Sequence, residues 1–454
     1  MVNGPRLLPL TLALSVLIWI ITTTGGRQIF IKEVLGEAYD SQGEHLLRGD
    51  PGVDIDAIRP EAILIDGKPR MYFGPFPAFL RIPLNLIYPA GRGYWSRLSG
   101  FCAAEIALFA FAGLVAQSLR ASSLSSRARN WTGNACLAGF AFGSPLIFLL
   151  ANLSIYNESI IWGLAWSVAA LYFVFRSRNV IAGLTRALLG FSFCAAAALL
   201  SRATFGAPLL LVAGVLVFRV AREDRLRRLA ALLLPLAAGL SFFLLLSYAK
   251  FGTLTGEDYE HYINSVHREF AHKHGVFDLR RVPSSLADYF SFRPPAIESR
   301  PPFVKVDRHP YSHSSLYSLP FSETFLPVTW CSSWLVFGAC IGIVYLFRKN
   351  RSDVFDRGIA AALFAQFLCI LSFFALAQRY TADLYPFLIF CFAVFLRAGA
   401  LAWQRGVMAG LIAASIVVNF LATACWIGSD GNLPSETRLF WNAVVGKTPA
   451  GGSQ

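Results

Sequence analysis

Four carboxylates stand at a 4-3-4 spacing in one short stretch: Glu33, Glu37, Asp40 and Glu44, within and just before "EAYDSQGEHLLRGD". At 100° per residue they fall within about 60° of one another on a helix, while Ile31, Val34, Leu35, Ala38 and Leu46 occupy the other side. Carboxylates held in that way suit proton transfer, because one of them works as a general base once its neighbours tune its pKa. Like charges at 37, 40 and 44 are expected to raise that pKa. A second set of candidates lies at helix ends. Arg202 in "LLSRATFGAP" and Arg379 in "AQRYTADLYPF", with Arg81 or Lys250, would surround an anion at headgroup depth, where arginine offers phosphate a two-pronged fork. Each of these cations has an ordinary alternative, which is to snorkel or to pair with Glu105, Glu158 or Asp383. Tyr72, Phe73, Phe76, Tyr380 and Tyr385 suit the interfacial aromatic belt, with the lining of a substrate subsite as the alternative.

The elements that position these residues are membrane helices. The chain has 454 residues, is 55% hydrophobic and 14% aromatic, and repeats apolar runs long enough to cross a hydrocarbon core of ~30 Å. The predicted architecture is an all-α polytopic membrane protein with about eleven transmembrane helices, at 7–24, 98–119, 133–151, 158–175, 184–200, 203–219, 229–249, 330–347, 358–377, 384–397 and 406–427. The chain divides accordingly into a first helix (1–24), a loop (25–97), helices two to seven (98–249), a second loop (250–329), helices eight to eleven (330–427) and a tail (428–454). The first helix has a signal-like flank, but "TTTGGRQ" lacks a small-x-small cleavage site, so it is read as retained.

Charge sets the expected orientation. With the N-terminus cytoplasmic, the inside connections hold eighteen cations, among them Arg120, Arg176, Arg178, Arg228, Arg348 and Arg397, against the four acids Glu223, Asp224, Asp353 and Asp356. The two long loops each balance at nine cations and nine acids, which places them and the C-terminus outside. The net charge of +13 is thus a topology signal, and no nucleic-acid partner is implied. The sequence has no Walker A pattern, dinucleotide fingerprint or Gly-x-Ser-x-Gly elbow. All eight cysteines fall in or beside apolar helices, without the spacing of a disulfide framework or zinc site. His267, His272 and His274 lack a metal-binding spacing, and together with His45, His261, His309 and His313 they read as loop histidines. No cofactor is implied, and a divalent cation is left open.

Within the first loop, 33–47 reads as an amphipathic helix lying along the membrane surface with its acidic stripe toward water or a cleft. Gly36 and Gly43 share a flank that would admit another segment. The aromatic, proline-rich "MYFGPFPAFLRIPLNLIY" reads as interfacial or re-entrant. In the second loop, "GEDYEHYINSVHREFAHKHGVFDL" contains a helix start, and the proline-rich segment after it favours extended backbone.

An N-in helix, a large outer loop opening with acidic "EAYDSQGEHLLRGD", and a bundle with "LSRATF" and "RYTADLYPF" at outer helix ends resemble the GT-C class of membrane glycosyltransferases. "GKPRMYFGPFPAFLRIPLNLIY" is similar to segments of bacterial members of that group. The resemblance implies transfer of a sugar from a polyprenyl-phosphate carrier to a lipid, glycan or protein acceptor on the outer side of a bacterial inner membrane, in the cell envelope. It implies a first-loop carboxylate as base or orienting group, led by Asp40 with Glu37 and Glu44 next. The adjacent acidic pair that many relatives carry is absent from "AYDSQ". Arg379, Arg202, Arg81, Lys250, Tyr380 and Asp383 would then meet the phosphate and sugar. A lipid or solute transporter or flippase would show internal repeats and polar groups at the bilayer midplane, which are not seen here. A non-catalytic envelope assembly protein is the other class, and it would tolerate loss of Asp40 and Arg379.

Overall fold

A computed structural model describes residues 4–179, 183–220, 224–254, 256, 259–306, 323–348 and 353–447. His309 and His313, and the proline-rich segment beyond 306, lie outside the described residues.

Among the described residues seven helices are long and apolar enough to cross a membrane: Ser96–Arg120, Ile155–Arg178, Leu184–Ser201, Arg225–Phe251, Val354–Ser372, Gln378–Ala398 and Ala402–Ser429. At 1.5 Å per residue a 25-residue helix such as Ser96–Arg120 reaches about 37 Å. Shorter apolar helices occupy Leu8–Thr22, Phe76–Ile87, Ala203–Val217 and Ser333–Phe347. Every residue from Tyr385 to Leu396 is buried, which makes this helix the axis of the bundle, whereas Arg225–Phe251 turns most of its surface outward.

Local chemistry explains where the helices depart from the apolar runs. Ser125 accepts a hydrogen bond from the Ala128 N–H and starts a helix at Ser126, seven residues before the predicted span at 133. That span breaks after Phe142 at "GSP" and resumes at Leu146–Ala151, and the Trp334 indole donates to the Gly143 carbonyl freed by the break, at 2.8 Å. Asp353 caps Val354–Ser372 by accepting from the Asp356 N–H at 2.8 Å. Behind that cap, buried Asp356 is gripped by Arg178 and Arg397 and ties three helices together at their basic ends.

The opposite face carries the two large loops, and here the fold is mostly rather than wholly helical. Ile63–Ile65 and Lys68–Arg70 form an antiparallel hairpin, and Ala296–Ile297 pairs with Val304–Lys305. Asp66 and Gly67 both have positive φ, so "IDGK" makes the two-residue turn that suits the twist of a hairpin. Ile63 also bridges to Tyr262, and the Ile263 N–H donates to the Ala62 carbonyl at 3.1 Å, so the hairpin joins one loop to the other. The tail returns to this face, where Arg97 donates to Thr437 at 2.6 Å.

The acidic stretch differs from its periodicity. Leu35 sits at φ +56°, so the helix begins only at Ala38 and runs to Leu47, with Glu33 left outside it. It does not lie on a surface, because residues 38–43 are all buried. It packs on Phe76–Ile87, and a Cβ at Gly43 would come within 3.1 Å of the Ala78 carbonyl oxygen, so a larger residue there would press the two helices apart by a few tenths of an ångström.

Candidate active site on the loop face

Arg202 lies in extended conformation between Leu184–Ser201 and Ala203–Val217, which turns its side chain off both helices. Its Nε donates to Asp383 Oδ1 at 3.2 Å and to Thr204 Oγ1 at 3.1 Å, and the Thr204 hydroxyl donates to the same carboxylate oxygen at 2.6 Å. Asp383 belongs to a 3-10 turn, Gln378–Leu384, in which residues three apart eclipse one another. Tyr380 and Asp383 therefore share a face, and Arg202 meets both, its guanidinium 5.4 Å from the Tyr380 ring centre. Arg379 stacks on the same tyrosine at 4.9 Å and on Tyr156 at 4.8 Å, and pairs with Glu323. Arg202, Arg379, Tyr380 and Asp383, scattered over 180 residues of sequence, are one cluster. The two ion pairs within it are unequal: Asp383 is fully buried, while the Glu323 side chain is 45% exposed.

The first loop is pressed against this cluster by "MYFGP". At Gly74 a Cβ would lie 2.2 Å from the Leu200 carbonyl oxygen and 2.5 Å from that of Ser201, so this strap sits directly on the helix end that carries Arg202. Phe73 meets Tyr156 edge-on at 5.6 Å. Lys250 does not join the anion site, because its buried ammonium donates to the Met71 and Phe73 carbonyls at 2.9 and 3.5 Å and holds the strap from beneath. Arg81 is likewise engaged elsewhere. One of its guanidinium nitrogens reaches both oxygens of Glu158, at 2.6 and 2.8 Å, in a fully buried pair.

Asp40 occupies a separate, sealed position. One carboxylate oxygen accepts from Asn85 Nδ2 at 2.8 Å and the other from the Gly93 N–H at 3.2 Å, and Asn85 is itself held by the Trp95 indole at 2.8 Å. Burial raises its pKa, while Arg81, Asn85, Gly93 and Arg92 pull it back down. The expected cause, repulsion from Glu37 and Glu44, is not what acts: those two turn outward to Arg92, at 3.6 and 3.1 Å. Glu33 is buried against Arg97 at 2.7 Å, with its pKa raised by burial. Asp54, which accepts from Ser41 at 2.7 Å and has Arg92 at 3.0 Å, is held below the usual carboxylate range chiefly by the Ser41 hydroxyl.

Glu61 and Glu323 carry no signal in the sequence, and His267, expected as a plain loop histidine, also lies at the cluster. Glu61 accepts the hydroxyls of Tyr72 and Tyr262 at 2.8 and 2.5 Å. His267 packs between Tyr262 and Phe374, with ring centres 6.1 and 6.0 Å apart, and burial lowers its pKa. Glu323 ends the second loop. None of these sits in a periodic pattern; the "DG" turn signals the hairpin beside Glu61, whereas its approach to residue 262 comes from a tertiary bridge between the loops. Among the described residues no group of three His, Cys, Asp or Glu side chains is arranged to hold a metal ion.

No family model matches the sequence, and no curated protein does. Solved structures do match. ArnT from Cupriavidus metallidurans bound to undecaprenyl phosphate superimposes over 96% of this chain and 68% of its own, with 15% identity and a TM-score of 0.50. The Archaeoglobus fulgidus oligosaccharyltransferase in the apo form covers 96% of this chain at 13% identity and a TM-score of 0.48. AglB from the same organism, in complex with an inhibitory peptide and a dolichol-phosphate, gives 96%, 14% and 0.46. The chain spans 56% and 55% of the lengths of these two archaeal proteins. The likeness to ArnT shows that this multi-pass membrane protein has a GT-C-like fold.

Proposed function

We propose that the protein is a membrane glycosyltransferase that moves a sugar from a polyprenyl-phosphate carrier to a lipid, glycan or protein acceptor. In this reading the chain crosses the membrane eleven times, its basic helix ends are cytoplasmic, and the loop face is the outer side. The observation that carries it is the convergence of Arg202 and Arg379 on Tyr380 at helix ends, in a fold shared with a protein solved with undecaprenyl phosphate. A carrier lipid lying in the outer leaflet brings its phosphate to that depth.

The chemistry follows from the two ion pairs. Buried Asp383, fixed by Thr204, is a permanent counter-ion that keeps Arg202 in place. Arg379 has an exposed partner, and exposed ion pairs are worth about 0–1 kcal/mol, so a phosphate displaces Glu323 at little cost. As the sugar leaves, negative charge grows on the carrier phosphate, and two preset guanidinium groups stabilise it without reorganising. Tyr380 between them keeps both cations at a fixed angle. Asp40 acts as the orienting carboxylate of the first loop: by binding Asn85 and the Gly93 N–H it locks the helix at 38–47 onto the Phe76–Ile87 helix that bears Arg81. Lys250 and Gly74 carry that order to the Arg202 end.

The test is transfer from undecaprenyl-phosphate-linked sugars by the purified protein in lipid nanodiscs. Arg202→Ala and Arg379→Ala should each lower turnover by about 10²–10³, the loss found when one donor to a developing oxyanion is removed. Full activity in both variants would remove the phosphate assignment.

A further inference from the structure

Glu61 and Asp40 differ from four other buried acids of the loop face and bundle. Glu33, Glu158, Asp356 and Asp383 each have an arginine within an ion pair. Glu61 is 8% exposed, and no ion pair to it is found among the described residues. Its neighbours are phenols instead. Tyr72 and Tyr262 donate to the same oxygen, Oε2, at 2.8 and 2.5 Å, and Tyr156 is near enough to feel the charge of the carboxylate. A buried carboxylate with no cation is costly unless its hydrogen bonds are complete, so a fold that needed only packing here would do better with an apolar side chain.

The position explains what such a group is for. Tyr156 carries Arg379 on the face of its ring, 4.8 Å away, and lies within the field of Glu61. The carboxylate and the cation therefore both neighbour Tyr156, on the surface where the strap, the second loop and the helix ends meet. Burial together with the charge of Glu61 holds the Tyr72 and Tyr262 hydroxyls protonated, so both remain neutral donors. Their contacts have the 2.5–3.0 Å length typical of O–H···O bonds. The site is thus already shaped for neutral hydroxyl groups, and a nearby guanidinium disfavours a cationic amine.

We propose that Glu61 binds the nucleophilic hydroxyl of the acceptor, replacing one tyrosine hydroxyl, and takes its proton. The acceptor is accordingly an alcohol, such as a sugar ring or a lipid hydroxyl, rather than an amide or an amine. This rests on the glycosyltransferase reading above. In the step, the acceptor oxygen forms a bond to the anomeric carbon as its proton passes to Glu61. The bond from that carbon to the phosphate oxygen breaks, and its electron pair leaves with the polyprenyl phosphate toward Arg379 and Arg202. Tyr72 and Tyr262 position Glu61 before the acceptor arrives and compensate its charge afterwards.

The experiment uses the full chain in nanodiscs, with undecaprenyl phosphate for binding and undecaprenyl-phosphate-linked sugars for transfer. Octyl glucoside serves as the alcohol, octylamine as the amine and an asparagine peptide as the amide. The expected result is transfer to octyl glucoside alone. Glu61→Gln should lose about 10²-fold or more in turnover, the weight of a general base, with undecaprenyl phosphate affinity and thermal stability unchanged. Glu61→Asp, which keeps the carboxylate, should recover part of the rate if the role is chemical. Wild-type turnover in Glu61→Gln, or equal losses in Glu61→Gln and Glu61→Asp, overturns the proposal, as does preference for octylamine or the peptide. Failure of the unaltered protein to bind undecaprenyl phosphate overturns the glycosyltransferase reading and this inference with it. Intact donor binding with no effect at residue 61 overturns this inference alone.

Discussion

Two charged clusters on the loop face, one around Asp40 and one around Arg379, have opposite characters. Asp40 has both oxygens satisfied by protein groups and no exposed surface. Arg379 and Arg202 retain exposed surface, 16% and 21% of their side chains, and Arg379 leans on a partner that faces solvent. A polar group whose hydrogen bonds are all made inside the protein gives rigidity, and one whose counter-ion is displaceable is poised for a ligand. Acidic periodicity drew attention to the first cluster, yet the second has the properties of a binding site.

That contrast can be broken by substitution. The largest effect falls at the open cluster, where Arg379→Ala lowers transfer by about 10²–10³ while leaving the melting temperature nearly unchanged. Next comes the buried pair beneath Asp40. Glu158→Gln leaves the Arg81 charge uncompensated and should cost about 3–5 kcal/mol of stability, read as a large fall in melting temperature. Asp40→Asn is milder. Its amide cannot accept from both Asn85 and the Gly93 N–H, an expected loss of about 1–3 kcal/mol.

The same variant gives a pH signature. Because burial raises the pKa of Asp40 above the ordinary 3.8, the folded state holds the proton more tightly than the unfolded state. The protein should therefore lose stability relative to Asp40→Asn as pH rises from about 3.8 through the folded-state pKa, and regain it on acidification. A difference in melting temperature that is flat across that window would mean the carboxylate is not effectively buried. The smallest effect belongs to the outward acids: Glu37→Ala removes only exposed pairs with Lys32 and Arg92 and should shift stability by less than about 0.5 kcal/mol, with transfer intact. A large loss of activity there would return the acidic stripe to the centre of the chemistry.

The legible parts of this molecule were those governed by local rules. Apolar runs located the helices, because a span must satisfy its own backbone in lipid, and errors of a few residues came from caps such as Ser125 and Asp353. Arg202, Arg379, Tyr380 and Asp383 were found because polar residues at apolar helix ends are costly. Shared depth at the helix ends led to the expectation that Arg202 and Arg379 lie close together, but the choice of Asp383 over Glu105 or Glu158 for Arg202 comes from tertiary packing across 181 positions. Helical periodicity misled at Leu35, where a positive φ ends the pattern and delivers Glu33 to Arg97 instead. Lys250 and Arg81 are expected at the anion from sequence but are engaged elsewhere: Arg81 takes Glu158, the alternative its charge already offered, and Lys250 takes two backbone carbonyls that only the folding of the first loop onto the bundle supplies. Glu61 had no pattern to betray it: its surroundings come from Tyr72, Tyr156 and Tyr262, three separate parts of the chain.

The central claim is that Arg202 and Arg379 form a phosphate site at the outer helix ends. Its most direct test is the affinity of the purified protein for undecaprenyl phosphate, compared with the Arg202→Ala/Arg379→Ala double variant and with Glu37→Ala. The account predicts saturable binding that the double variant loses and Glu37→Ala keeps. Equal binding by all three proteins would contradict it.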